Sequence, residues 1–150
     1  MAYLRPLLFD TSVLIPVFRR EAYEELFQRA LRNGRARLSS VVMQELYAGA
    51  LSPADKRDYD AINQLFLRHG YMLTPTHHDW TASGILLARY QQRYGALEPR
   101  DHINDILIVL SAANADAELI TENDIDMRRW QAMLQRTGKR LMLTAVRRPQ

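Results

Sequence analysis

The sequence predicts an α/β domain in three layers, a mostly parallel sheet of about four to five strands between two layers of helices. Three observations predict it. Short apolar runs alternate with longer segments of helical period, no Pro/Gly/Ser-rich linker interrupts them, and 150 residues support one core rather than two. One domain is therefore expected over residues 1–150, with a mobile basic tail from about residue 146. In such sheets the reactive groups sit beyond the carboxyl ends of the strands.

The elements follow in order. Arg5–Phe9 reads as the first strand and ends at Asp10, and Thr11–Phe18 reads as a short helix. Glu21–Leu31 is amphipathic and stops at Asn33-Gly34, the usual chemistry of a helix end. Ala36–Leu38 is a short strand, and Ser39-Ser40 supplies an N-cap for a helix through Ala48, closed by Gly49. Ser52-Pro53 opens another helix, whose Ile62, Leu65 and Phe66 share a face before Gly70 ends it. Tyr71–Leu73 is a strand. Thr76 caps a long helix from His77 to Tyr94, stopped by Gly95. Asp101 is expected to cap the next helix, in which Ile103, Ile106, Leu107, Leu110 and Ala113 line one buried face. Glu118–Ile120 and Arg140–Thr144 complete the strands.

Composition narrows the chemistry. There is no cysteine, which excludes disulfides, thiolate metal sites and cysteine nucleophiles. No apolar run approaches the roughly 20 residues that span a bilayer, so no membrane partner is expected. The apolar stretch Pro6–Phe9 is broken at once by Asp10, unlike a secretory leader, and a cytoplasmic location is expected. Net charge is +3, but it is unevenly spread: Asp101–Asp126 holds seven acids and no base, Met127–Gln150 seven bases and no acid. Eighteen of the twenty basic residues are arginine, whose fork-shaped guanidinium suits phosphate. A solvated surface explains the same bias, so composition alone does not establish a nucleic-acid partner.

Four acidic groups stand out by setting. Asp10 lies between Leu7-Leu8-Phe9 and Val13-Leu14-Ile15, where a lone carboxylate is costly unless hydrogen-bonded, paired or metal-bound. Glu45 follows Val41-Val42-Met43, and Asp105 precedes five apolar residues, Ile106–Leu110. Thr121-Glu122-Asn123-Asp124-Ile125-Asp126 follows the strand Glu118–Ile120 and is dense in oxygen ligands. Taken singly, each has a plain reading: Asp10 as a helix cap, Glu45 as an exposed helix acid, Asp105 as a first-turn acid favoured by the helix dipole, the last group as a capping turn. Taken together, Asp10 and the Thr121 turn end strands expected to be parallel neighbours, and Glu45 and Asp105 lie on helices able to reach the same edge. Facing carboxylates repel, and cations relieve that repulsion. Oxygen ligands without Cys or His suit Mg²⁺ or Mn²⁺.

This ordered set resembles the PIN-domain nucleases, in particular the VapC-type toxins of toxin–antitoxin pairs. Three pieces carry the resemblance: Leu7-Leu8-Phe9-Asp10-Thr11-Ser12, Ser40-Val41-Val42-Met43-Gln44-Glu45-Leu46, and Asn104-Asp105-Ile106-Leu107-Ile108 leading to Leu119-Ile120-Thr121-Glu122-Asn123. The resemblance implies an endoribonuclease dependent on Mg²⁺ or Mn²⁺, cutting RNA to leave 3′-hydroxyl and 5′-phosphate ends. It implies Asp10, Glu45 and Asp105 as the catalytic and metal-binding acids, with Asn123 and Asp124 as further metal ligands. Ser12 and Thr121 would orient the acids. The family's fourth acid often stands where this chain has the neutral Asn123, which leaves a second metal in doubt and Asp126 as another candidate. The resemblance also implies a homodimer and a cognate antitoxin, with Val17–Leu31 or Tyr59–Phe66 as candidate contact surfaces. A non-catalytic PIN-like module binding RNA or protein is the alternative, favoured by Asn123 and disfavoured by retention of the three acids.

Other residues are assigned plainer roles. His77 and His78 read as a solvated turn, His102 as a surface residue, and Trp80 and Trp130 as packing residues. Tyr90 and Tyr94 share a helix face and suit packing better than RNA stacking. Arg147 and Arg148 fall in the expected tail. A haloacid-dehalogenase-like phosphotransferase would need an acid where Ser12 stands. A receiver domain would need an acid pair and a lysine, and the chain has only Lys56 and Lys139.

Overall fold

The computed structural model describes residues 3–149; residues 1, 2 and 150 of the expected domain lie outside the described residues. The chain runs β1 (Leu7–Phe9), α1 (Thr11–Phe18), α2 (Glu24–Arg32), β2 (Ala36–Ser39), α3 (Ser40–Ala48), α4 (Pro53–Arg68), β3 (Met72–Leu73), α5 (His77–Tyr94), a 3₁₀ turn (Pro99–Asp101), α6 (Ile103–Asn114), β4 (Glu118–Thr121), α7 (Asp124–Gln135) and β5 (Met142–Ala145). The five strands form one sheet in the order β3-β2-β1-β4-β5, and every pairing is parallel. The expected mostly parallel α/β/α sheet is thus wholly parallel.

Topology sets where chemistry can sit. From β1 the chain moves outward to β2 and β3, then returns to the other side of β1 for β4 and β5. The order therefore reverses between β1 and β4, the switch point where open parallel sheets form their crevice. Right-handed crossovers put helices of the two directions on opposite faces. Aromatic packing follows this division: Phe9 meets Phe27 of α2, which stacks on Phe66 of α4, while Trp130 of α7 packs against Tyr90 of α5 on the other face.

Local chemistry explains most boundaries. Ser39, Ser52 and Thr76 each accept a backbone N–H as N-caps of α3, α4 and α5, and Thr76 with Asp79 completes a capping box. Ile106 to Ala112 is buried on every side, so α6 lies inside the helical layer rather than on its surface. Several expectations are corrected. The helix expected from Glu21 begins at Glu24, because Tyr23 at its N-cap takes a left-handed backbone, φ 65°. Asp101 does not cap α6; it ends the 3₁₀ turn, and His102 stands at the cap. The acidic turn after Thr121 opens a helix of 12 residues, α7. Trp80 is 53% exposed rather than packed, whereas Trp130 is fully buried. His102 is partly buried against Trp130, not a free surface residue. Among the described residues no helix is long and apolar enough to cross a membrane.

Candidate active site

Two neighbouring strands, β1 and β4, deliver their ends to one edge. Asp10 follows β1 and its backbone N–H donates to the Ile120 carbonyl at 2.9 Å, so it stands beside the end of β4 at the switch point. It is 5% exposed, yet its carboxylate is well supplied with donors. Oδ1 accepts the Thr11 backbone N–H at 2.8 Å; Oδ2 accepts the Ser12 hydroxyl at 2.9 Å and the Thr121 hydroxyl at 2.8 Å. Asp10 is the N-cap of α1 as well, so the plain reading and the functional one coexist.

The two hydroxyls tie separate segments together. Ser12 Oγ accepts the Glu122 N–H at 2.9 Å, and Thr121 Oγ1 accepts the Asn123 N–H at 2.9 Å. The turn after β4 is thereby locked to the start of α1, with Asp10 held between them. A further clamp grips this turn from outside. The Tyr23 hydroxyl donates to Glu122 Oε2, and Arg148 Nε donates to the same oxygen at 3.0 Å while its Nη1 reaches Glu21 at 3.1 Å. Arg148, in the segment expected to form a tail, is thus in contact with the body of the domain.

Glu45 and Asp105 approach Asp10 from α3 and α6. Thr11 Oγ1 donates to Glu45 Oε1 at 2.7 Å. Burial pushes the Glu45 carboxyl up; the Thr11 hydroxyl and Asn104 oppose this by hydrogen bonds, and the charge of Asp10 adds to it. Asp105 is pushed from its ordinary 3.8 up to about 7, first by burial and then by the charges of Asp10, Glu45 and Asp126. A carboxyl so raised signals repulsion from several directions without a nearby compensating cation.

The structure therefore brings Asp10, Glu45 and Asp105 to face one another, with Ser12 and Thr121 bonded to Asp10. It does not bring Asp124 into that group: its carboxylate pairs with Arg128, one turn along α7. Asp126 is the acid of α7 that acts on Asp105, and Asn123 Nδ2 donates to it at 3.3 Å. Among the described residues no three Asp, Glu or His side chains are close enough to ligate one ion as they stand. The donor set nevertheless fits a hard divalent cation. It is oxygen-only, it borders the partly positive start of α6, and its members repel one another. Sequence order did not reveal Asn104, Thr11 or the Tyr23–Glu122–Arg148 clamp. The only signal for the first two was adjacency to Asp105 and Asp10, and the clamp has none.

The profile of the PIN domain family matches residues 7–132, a span holding all of these groups except Arg148. The chain belongs to the PIN domain family. No curated protein matches this PIN domain in sequence. Among solved structures it is similar to VapBC2 from Rickettsia felis bound to a promoter DNA fragment, with TM-score 0.65 and 19% identity over 94% of this chain and 98% of that one. It is also similar to DNA-bound VapBC from Salmonella typhimurium, with TM-score 0.65 and 17% identity over 95% and 98% of the two chains. A third similar structure is VapBC-1 from nontypeable Haemophilus influenzae, with TM-score 0.61 and 18% identity over 93% and 96%. At such identities the likeness speaks for the PIN fold.

Proposed function

We propose that this PIN domain is an endoribonuclease dependent on Mg²⁺ or Mn²⁺ and the toxin of a toxin–antitoxin pair. The observation that carries the proposal is the convergence of Asp10, Glu45 and Asp105 at the β1/β4 switch point, where Asp105 is raised to about 7 by burial first and by its acidic neighbours second. A surface built only to bind RNA gains nothing from acids that repel phosphate.

Asp10, Glu45 and Asp105 are the residues that would hold the cation, with Asn123 and Asp126 at its border and Asp124 drawn off by Arg128. A bound divalent ion supplies charge neutralisation for a scissile phosphate and acidifies water. The chain's own groups do the positioning. Ser12 and Thr121 fix Oδ2 of Asp10, and Thr11 fixes Oε1 of Glu45, so neither carboxylate has to be ordered during the reaction. Asp105, pushed up to about 7 by burial and then by its acidic neighbours, would have to be deprotonated to hold a cation.

The toxin role and an antitoxin partner rest on the VapBC complexes among the similar structures. A homodimer and a cytoplasmic location belong to the same proposal. The deciding experiment incubates total RNA with the protein and Mg²⁺ or Mn²⁺, and compares Asp10→Asn and Asp105→Asn. Cleavage by the wild type and loss in both variants is the expected result. Cleavage that survives EDTA or either substitution removes the mechanism. Asn123 and the lack of a ready-made three-acid group favour a second reading, a non-catalytic RNA-binding module. That reading predicts RNA binding with no cleavage in either metal.

A further inference from the structure

We propose that Arg89, Arg93 and Arg136 form a second nucleic-acid contact, a basic cavity that receives a backbone phosphate of the RNA strand outside the acidic site. For its ligand the inference rests on the RNA-cutting reading above. The cavity lies between α5 and the end of α7, has a volume of about 300 Å³, and is lined by these three arginines with Gln92 and Met133. No acid lines it. Seven arginines pair with carboxylates; among the described residues Arg89, Arg93 and Arg136 are three of the eleven that do not, and they are the three that line one cavity together. All three are exposed and free to meet a ligand.

Helix dipoles account for part of the cluster. Arg93 lies in the last turn of α5 and Arg136 at the C-cap of α7, where positive charge is favoured. Arg89 has no such excuse. It stands one turn before Arg93 on the same helix face, a like-charged pair that opposes the helix unless an anion lies between them.

Tyr94 supplies an independent observation. This residue is 56% exposed beside two of the lining arginines, with the Arg93 guanidinium 5.5 Å from the ring centroid and Arg136 Nη2 3.5 Å from its hydroxyl. A half-exposed aromatic ring beside clustered arginines is how single strands are held, bases stacked and phosphates paired. A row of rings links this cavity to the acids. Tyr94 meets Tyr90 at 4.9 Å, Tyr90 meets Trp130 at 5.4 Å, and Trp130 meets His102 at 5.7 Å, at the cap of the helix that carries Asp105. Because Trp130 is fully buried, this row is internal packing that sets the cavity and the start of α6 on the same face of the sheet.

The test is fluorescence anisotropy of a labelled single-stranded RNA in EDTA, titrated with protein at several KCl concentrations. Combining Arg89→Gln, Arg93→Gln and Arg136→Gln is expected to weaken binding roughly tenfold at physiological salt and to flatten the log K against log[KCl] slope by about 0.7, the value for one lost phosphate contact. Tyr94→Ala should weaken binding and leave the slope intact, because stacking releases no counterions. A control with equal charge loss on the far helices, Arg29→Gln, Arg32→Gln and Arg68→Gln, should keep the wild-type slope. Should the glutamine triple fail to fold, lysine at the same three positions should retain the slope, and a flattened one there would count against the site. An unchanged slope in the cavity variant, or an equal fall in the control, overturns the proposal. Cleavage with Mn²⁺ is read separately. Binding that depends on the cavity without any cleavage sinks the nuclease reading and keeps the cavity, and cleavage without cavity dependence does the reverse.

Discussion

Replacing Asp105 by asparagine should make the metal-free protein more stable, although the same change is expected to abolish cleavage. In the folded chain the Asp105 carboxyl is pushed from 3.8 up to about 7. A folded-state pKa above the unfolded one means that the native protein holds an extra proton between roughly pH 4 and 7. The stability contributed by this proton is complete below about pH 4 and is lost as pH rises through 7. At pH 8 the native state therefore carries a repelled charge that the unfolded chain carries freely. A rise of about three pH units corresponds to at most ~4 kcal/mol, and solvent at this partly exposed side chain reduces it to about 2 kcal/mol. For a domain of this size that is a gain in Tm of roughly 4–8 °C for Asp105→Asn. The assay is thermal unfolding by circular dichroism in EDTA and low salt, at pH 4 and pH 8. The gain should appear at pH 8 and vanish at pH 4, and added Mn²⁺ should raise the wild type and close the gap. Equal melting of the two proteins at pH 8, or a less stable variant there, would show that Asp105 is not under repulsion and would refute the electrostatic reasoning.

Three other outcomes are expected. Thr121→Val removes one of two hydroxyls on Asp10 Oδ2 and unseats the Asn123 N–H; it should cost about 1–3 kcal/mol by urea unfolding and weaken Mn²⁺ binding by calorimetry about 10-fold or more. Tyr23→Phe breaks the outer clamp on Glu122 and should cost about 1 kcal/mol, with its largest loss of hydrogen-exchange protection in the turn Thr121–Asn123. Asp126→Asn should lower the pH at which Asp105 titrates by NMR, because Asp126 acts on Asp105 directly, whereas Asp124→Asn, whose carboxylate is paired with Arg128, should move it less.

The parts of the fold written in local chemistry were legible in the sequence, and those set by tertiary contacts were not. Serine, threonine and glycine at the ends of α3, α4 and α5 mark those helices, because a cap is a contact between near neighbours. The start of α2 is different: Tyr23 holds a left-handed backbone where its hydroxyl reaches Glu122, and that contact spans 99 residues. Trp80 shows the reverse failure, since a large aromatic is expected inside and its helix turns it outward. At the site, Asp10 drew notice because it interrupts an apolar run. Asn104 and Thr11, which hold Glu45, are ordinary polar residues that only the meeting of α3 with α1 and α6 brings into play.

Why the acids can be held against one another follows from where α6 lies. Ile106 to Ala112 is enclosed on all sides, so the helix that bears Asp105 cannot swing away without exposing the centre of the core. Asp10 is fixed as firmly, since its strand pairs on both edges and its carboxylate accepts three hydrogen bonds. Repulsion between the two anchored carboxylates has no structural outlet, and it adds to the burial that raises the pKa of Asp105. Glu45 is anchored less deeply, on a helix whose acid-bearing face is half open, with Thr11 and Asn104 as the hydrogen-bond partners of its carboxylate. Of the three, Glu45 is therefore the least enclosed, and its position depends on the Thr11 and Asn104 hydrogen bonds rather than on core packing.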